Sequence, residues 1–289
     1  MRKQKAKAKG KRAQKVKRFL WALFLLARPV NAILAFFGVV VGALMACEYT
    51  CIQCGLLAGL AAALVSAGGQ AINDVYDVEV DREKKRPIPR GWISKRWAKV
   101  YAAVLFGLGV AVALCVSLLH AFIALLAALL IFLYSYKIQK RKYIGNVLVA
   151  FFTGLLFVFG GLCGSRWYVT LIPALLAFLA TWSREIWKDI EDMESDRGFK
   201  RSLAHILTPK LAAYFAAYLA LLAVLFSPLP SPIGFGFLGW SYLYLVLVAD
   251  AIFLLSAYLG INGNARWAEK GAKLGMIVAT LAMLAGALS

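Results

Sequence analysis

The chain has 289 residues, 62% of them apolar or aromatic and 16% charged, with a mean hydropathy of +0.74. That excludes a disordered segment and an ordinary soluble domain, which is about half apolar and a quarter charged. Lys and Arg number 33 against 14 Asp and Glu, a formal net charge of +19, so the placement of the charges says more than their sum.

Ten of the basic residues occupy the first 18 positions, with no acid among them. Ahead of an apolar run, such a segment reads as a solvated, mobile cytoplasmic arm drawn to anionic lipid, not as a nucleic-acid-binding element. The stretch from Phe19 onward is too long for a signal peptide and lacks a small-residue cleavage site. The predicted organisation is an arm over 1–18 and one membrane domain over 19–289.

A helix needs about 20 residues to cross the hydrocarbon. Nine apolar stretches of that order follow one another: 19–46, 54–73, 97–118, 120–136, 145–163, 168–187, 210–227, 238–259 and 270–288. Lipid satisfies no backbone donor or acceptor, so helices are expected and the fold class is an all-α polytopic membrane protein. Of the 33 basic residues, 31 lie in the arm and in segments 74–99, 137–142, 184–210 and 266–273, whereas the alternate loops hold only Arg166. The positive-inside rule then places the N-terminus in the cytoplasm. Arg28 falls within the first span, where a cation needs a partner or a cavity, and an anion-binding role is expected of it.

Eleven of the 14 acids cluster between Asp74 and Glu83 and between Glu185 and Asp196. The first cluster reads Asn73-Asp74-x-x-Asp77-x-x-x-Asp81, and the second Asp189-x-x-Asp192-x-x-x-Asp196. Residues three and four apart share a helix face, so each segment predicts a row of three carboxylates. Such a row repels itself unless cations offset it, and carboxylate and amide oxygens are hard ligands suited to Mg²⁺. Two opposed rows would hold a metal pair bridged by a diphosphate. Arg82, Lys84, Lys85, Arg86, Arg184, Lys188, Lys200 and Arg201 stand near to neutralise its oxygens. This chemistry suits ionisation of an allylic diphosphate, with the apolar interior shielding the cation from water. A polytopic cation transporter is the rival from another class, but it predicts ionisable residues near the midplane, and only Asp250 lies deep. Asp250 suits a functional acid and a helix-packing hydrogen bond equally.

These residues resemble the paired signatures of the UbiA superfamily of intramembrane prenyltransferases. The resemblance implies nine transmembrane helices around a central cavity, bound Mg²⁺, and transfer of a prenyl group from prenyl diphosphate to an acceptor. Asn73, Asp74, Asp77, Asp81, Asp189, Asp192 and Asp196 match the metal–diphosphate signature, with Asp77, Asp81, Asp192 and Asp196 as its catalytic carboxylates. Arg28-Pro29-x-Asn31, Arg82, Arg86-Pro-Ile-Pro89, Gly91, Lys188 and Arg201 look most like the archaeal digeranylgeranylglyceryl phosphate synthase branch. Arg28, Asn31, Arg82, Lys188 and Arg201 are thereby expected to bind substrate, with Lys137 and Lys140 as alternatives for one further basic position. The implied reaction adds a geranylgeranyl group to geranylgeranylglyceryl phosphate, with an aromatic quinone precursor as the runner-up acceptor. The partners expected are a prenyl diphosphate, a lipid-like acceptor and membrane lipid, and no nucleic acid.

Cys47, Cys51 and Cys54 have the C-x3-C-x2-C spacing of an iron–sulfur triad, but they sit in a turn between membrane spans, where small helix-end residues are expected. A disulfide involving these or Cys115 and Cys163 stays open. His120 and His205 are too few and too far apart in sequence to suggest a metal site.

Overall fold

A computed structural model of the chain describes residues 2–47, 51–78, 86–138, 141–196 and 201–289. Among the described residues there are helices and no strands, and nine helices are long and apolar enough to cross a membrane. The sequence expectation differs most at the first span. The apolar run 19–46 is not one helix: α1 (Arg2–Ala27) stops and α2 (Pro29–Cys47) starts afresh. Pro29 has no N–H to give to a preceding turn and restricts the residue before it. Arg28 takes up a left-handed conformation, φ 44°, at a cost of about 1 kcal/mol for a residue with a Cβ. The crossing therefore begins at Pro29.

The remaining spans follow in order. Helix α3 covers Ile52–Tyr76, α4 Lys95–Val116 and α5 Leu118–Leu133, which runs on into a π-helical turn at Tyr134–Ile138. Then come α6 (Lys142–Gly161), α7 (Leu171–Glu191), the short α8 (Met193–Asp196) and α9 (Leu203–Ile206), α10 (Pro209–Phe226), α11 (Trp240–Ile261) and α12 (Ala265–Leu288). Hydroxyl caps set several starts. Ser94, Ser117 and Thr208 accept from the backbone N–H of Trp97, His120 and Leu211 at 3.2–3.3 Å. Ser117 alone separates α4 from α5 and turns the chain back in a single extended residue.

Packing uses small residues, as it must where lipid is as apolar as leucine and gives no hydrophobic drive between helices. Ala212, Ala213, Ala216 and Ala217 of α10 pack in one core with Trp187 of α7 and Phe253 of α11. The α2–α6 contact is closer still. A Cβ on Gly160 would run into the Val39 carbonyl, and one on Gly42 into that of Phe157. Large apolar side chains such as Phe122, Leu225, Tyr244 and Tyr258 point outward, the pattern of a lipid-facing surface. Ala22 and Leu26 of α1 are fully buried against Ile72 and Val75 of α3 and Ile88 and Ile93 of the following loop. The end of α1 thus braces the end of α3, where the first acidic motif begins.

Candidate active site

The acidic motifs depart from the expected single helical faces. Helix α3 ends at Tyr76, with Asp77 capping it through its N–H to the Asn73 carbonyl. Helix α7 ends at Glu191, with Asp192 in the same capping position through the Lys188 carbonyl. Each helix stops at the middle aspartate of its triad. Carboxylates stacked along one face repel, and the C-terminal end of a helix carries partial negative charge that disfavours more of them. Anions placed at two such ends need cations or hydrogen-bond donors.

The described residues supply both. Asp74 is buried, and its Oδ1 lies 2.5 Å from Arg28 Nη2, while Arg86 Nη1 stands 3.6 Å from its Oδ2. The break between α1 and α2 is what aims Arg28 inward. Asp77 is buried and accepts from Asn73 Nδ2 at 2.9 Å. Asp189 on α7 is 0% exposed and accepts from Asn146 Nδ2 of α6 at 2.6 Å. An ordinary loop carboxylate would be solvated, and these three are not.

A cavity of about 430 Å³ opens between the two motifs. Arg28, Asn31, Asn73, Asp77, Asn146 and Lys188 are on its wall, as are Gln70, Tyr134, Ser135, Arg184 and Lys273. Apolar side chains from α2, α5, α6, α7 and α12, among them Leu34, Ile131, Phe152, Leu176 and Met276, form the rest. The cavity also reaches Asp250, which accepts from Ser227 Oγ at 2.6 Å. Asp250 therefore makes the packing hydrogen bond and borders the cavity at once.

Asp74 and Asp189 are not among the lining residues, nor is Asp192, which is half-buried, and Asp196 ends α8. Lys137 and Arg201 are exposed and not part of the wall, Arg201 sitting in a backbone bridge with Arg141. Asp81, Arg82 and Lys140, and the side chain of Asp196, lie outside the described residues. Two site residues escaped the motif reading, Asn146 and Lys273, as did the pairing of Arg184 with Glu269. Arg184 donates to Glu185 and to Glu269 of α12, both at 2.6 Å. Their common signal is a polar residue inside an apolar run, which marks a cavity-facing position by default.

The donor set consists of buried carboxylates and carboxamides, all hard oxygens without sulfur or imidazole. This fits a hard divalent cation such as Mg²⁺. At the opposite ends of these helices, disulfides join Cys47 to Cys51 and Cys54 to Cys163, settling the pairing that the sequence left open. His120 lies beside the second, with Nδ1 2.8 Å from Ser117 Oγ and Nε2 3.1 Å from the Phe159 carbonyl. Cys54, Cys163 and His120 have ligand atoms within 4.8 Å of one another, a grouping that sequence distance concealed. The two sulfurs are spent on the bond between them.

Comparison with known proteins agrees with this geometry. Residues 35–281 match the UbiA prenyltransferase family. The chain is 39% identical over 272 residues to a digeranylgeranylglyceryl phosphate synthase of Methanopyrus kandleri, covering 91% of this chain and 98% of that protein. It is 35% identical over 269 residues to the protein of the same name from Methanosphaera stadtmanae, covering 90% and 97%. A solved digeranylgeranylglyceryl phosphate synthase structure superposes with a TM-score of 0.74 at 35% identity, covering 95% of this chain and 99% of the other. A UbiA homolog from Archaeoglobus fulgidus, bound to DMAPP and Mg²⁺, shares the fold with a TM-score of 0.61 at 19% identity, covering 92% and 99%. The chain belongs to the UbiA family of membrane-embedded prenyltransferases.

Proposed function

We propose that the protein transfers a geranylgeranyl group from geranylgeranyl diphosphate to geranylgeranylglyceryl phosphate, forming the second ether bond of an archaeal membrane lipid. The observation that carries this reading is one apolar cavity whose polar wall takes Asn73 and Asp77 from the first acidic motif and Lys188 from the second, with Asp74 and Asp189 buried next to them in sequence. The names of the relatives that are 35–39% identical support the acceptor.

Asn73, Asp74, Asp77, Asp81, Asp189, Asp192 and Asp196 are the residues assigned to hold Mg²⁺, which supplies charge stabilisation for the leaving diphosphate. Arg28 and Arg86 hold Asp74, and Asn146 holds Asp189, so the carboxylates are fixed before substrate arrives. Asn31, Lys188 and the basic loop residues Arg82, Lys137 or Lys140, and Arg201 are assigned to the phosphate oxygens. The apolar wall buries the isoprenoid and keeps water from the allylic carbon. The C1–O bond breaks with its electron pair on the diphosphate. The acceptor hydroxyl oxygen bonds to C1, and its proton passes to the polar mouth. The basic arm, 1–18, lies against anionic head groups and residues 19–289 form the catalytic membrane domain. The excess of Lys and Arg in the segments that carry the motifs supports a cytoplasmic location for that end and for the N-terminus.

The test is product formation by the purified protein in lipid nanodiscs and in sealed vesicles. Geranylgeranylglyceryl phosphate yields the doubly alkylated product, chelation with EDTA abolishes turnover, and added Mg²⁺ restores it. Sealed inside-out vesicles accept water-soluble substrate analogues without permeabilisation. Product from 4-hydroxybenzoate alone overturns the acceptor, and turnover in excess EDTA overturns the metal assignment.

A further inference from the structure

The acidic motifs account for one anion, the diphosphate of the donor, but the proposed acceptor carries a second, a phosphate monoester. The cavity wall contains a cation that the donor site does not use. Lys273 on α12 borders the cavity, on the same helical face as Met276 and Thr280. It is half-buried and makes no hydrogen bond or ion pair among the described residues. Its natural partner on that face is Glu269, one turn earlier, but the Glu269 carboxylate is taken by Arg184 at 2.6 Å. Arg184 is bound by two carboxylates, and its buried Nε has no hydrogen-bond partner.

A cation that borders a cavity near the polar end of a membrane helix marks a functional position. Elsewhere at the mouth, Arg28 and Arg86 face Asp74. Lys273 therefore brings an ammonium to the wall from α12, which contributes none of the aspartates, and Arg184 of α7 adds a buried Nε–H without a hydrogen-bond partner. Helical side chains lean toward the helix N-terminus, so Lys273 leans toward the polar end of the cavity from which α12 descends.

We propose that Lys273, with Arg184 of the same cavity wall, forms the subsite for the anionic head of the acceptor. Its ammonium comes from α12, whereas the aspartates assigned to the metal–diphosphate come from α3, α7 and the segments after them. This rests on the acceptor reading given above. A phosphate monoester placed there holds the adjacent glycerol hydroxyl near the polar mouth and leaves the acceptor's own tail to the apolar wall.

The experiment compares geranylgeranylglyceryl phosphate with its dephosphorylated alcohol, using wild type, Lys273→Met and Lys273→Arg in nanodiscs at saturating donor. In wild type the phosphate raises kcat/KM by about 10- to 100-fold, the worth of a charge-assisted hydrogen bond. In Lys273→Met that advantage falls to about threefold or less, through acceptor KM, while donor KM shifts by less than about threefold. Lys273→Arg retains most of the advantage, which separates recognition from folding. If Lys273→Met keeps the full advantage, or raises donor KM instead, the subsite is wrong while the acceptor reading stands. If wild type itself fails to prenylate the phosphorylated acceptor, both fall together.

Discussion

Replacing Asp77 by asparagine lowers prenyl-product formation by about a thousandfold, because in the proposed metal-binding role this carboxylate supplies about 4 kcal/mol of transition-state stabilisation. Asp77 is buried on the cavity wall, and it caps α3 with its backbone, which the substitution leaves alone. The Asn73 amide can still donate to the new side-chain oxygen. The fold therefore survives and the chemistry does not. Radiolabelled product in single-turnover assays, with the melting profile as a control, is the measurement. An activity within threefold of wild type would make Asp77 a structural cap and nothing more.

Arg28→Met carries the next largest effect, and it acts on stability. It strips the buried Asp74 carboxylate of its 2.5 Å partner, with Arg86 standing farther off at 3.6 Å. Breaking a buried pair from one side costs about 3 kcal/mol, which lowers the melting midpoint by about 5–10 °C for a chain of this size. The second change Asp74→Asn removes the stranded charge, so the double variant regains most of the lost stability and none of the activity. A double variant that melts below Arg28→Met would show that the cost lies in the backbone turn at Arg28 and not in the ion pair.

What the sequence made legible follows the range over which its signals act. Apolar run length located the nine spans, because crossing a membrane is a local demand on consecutive residues. The first span was misplaced because the run of apolar residues continues straight through Arg28 and Pro29, and the break lies in the backbone of those two positions alone. The aspartate spacing identified both clusters, yet it implied continuous helical faces, whereas each helix ends at its middle aspartate. What decides that ending is charge and tertiary contact. The partners are remote: Arg28 is 46 positions from Asp74, Asn146 is 43 from Asp189, and Arg184 is 85 from Glu269. The bond between Cys54 and Cys163 spans 109. No periodicity rule reaches that far, so these contacts became visible only once the helices were packed.

The central claim is that the two acidic clusters grip one diphosphate together. Its most direct measurement is Mg²⁺-dependent binding of a non-hydrolysable geranylgeranyl diphosphate analogue to wild type, Asp77→Asn, Asp192→Asn and the double variant. Shared grip predicts that each single change weakens binding by about a hundredfold, and that the double is within about threefold of either single. Losses that multiply, so that the double falls by the product of the two, would mean that the clusters act on separate ligands and would contradict the account.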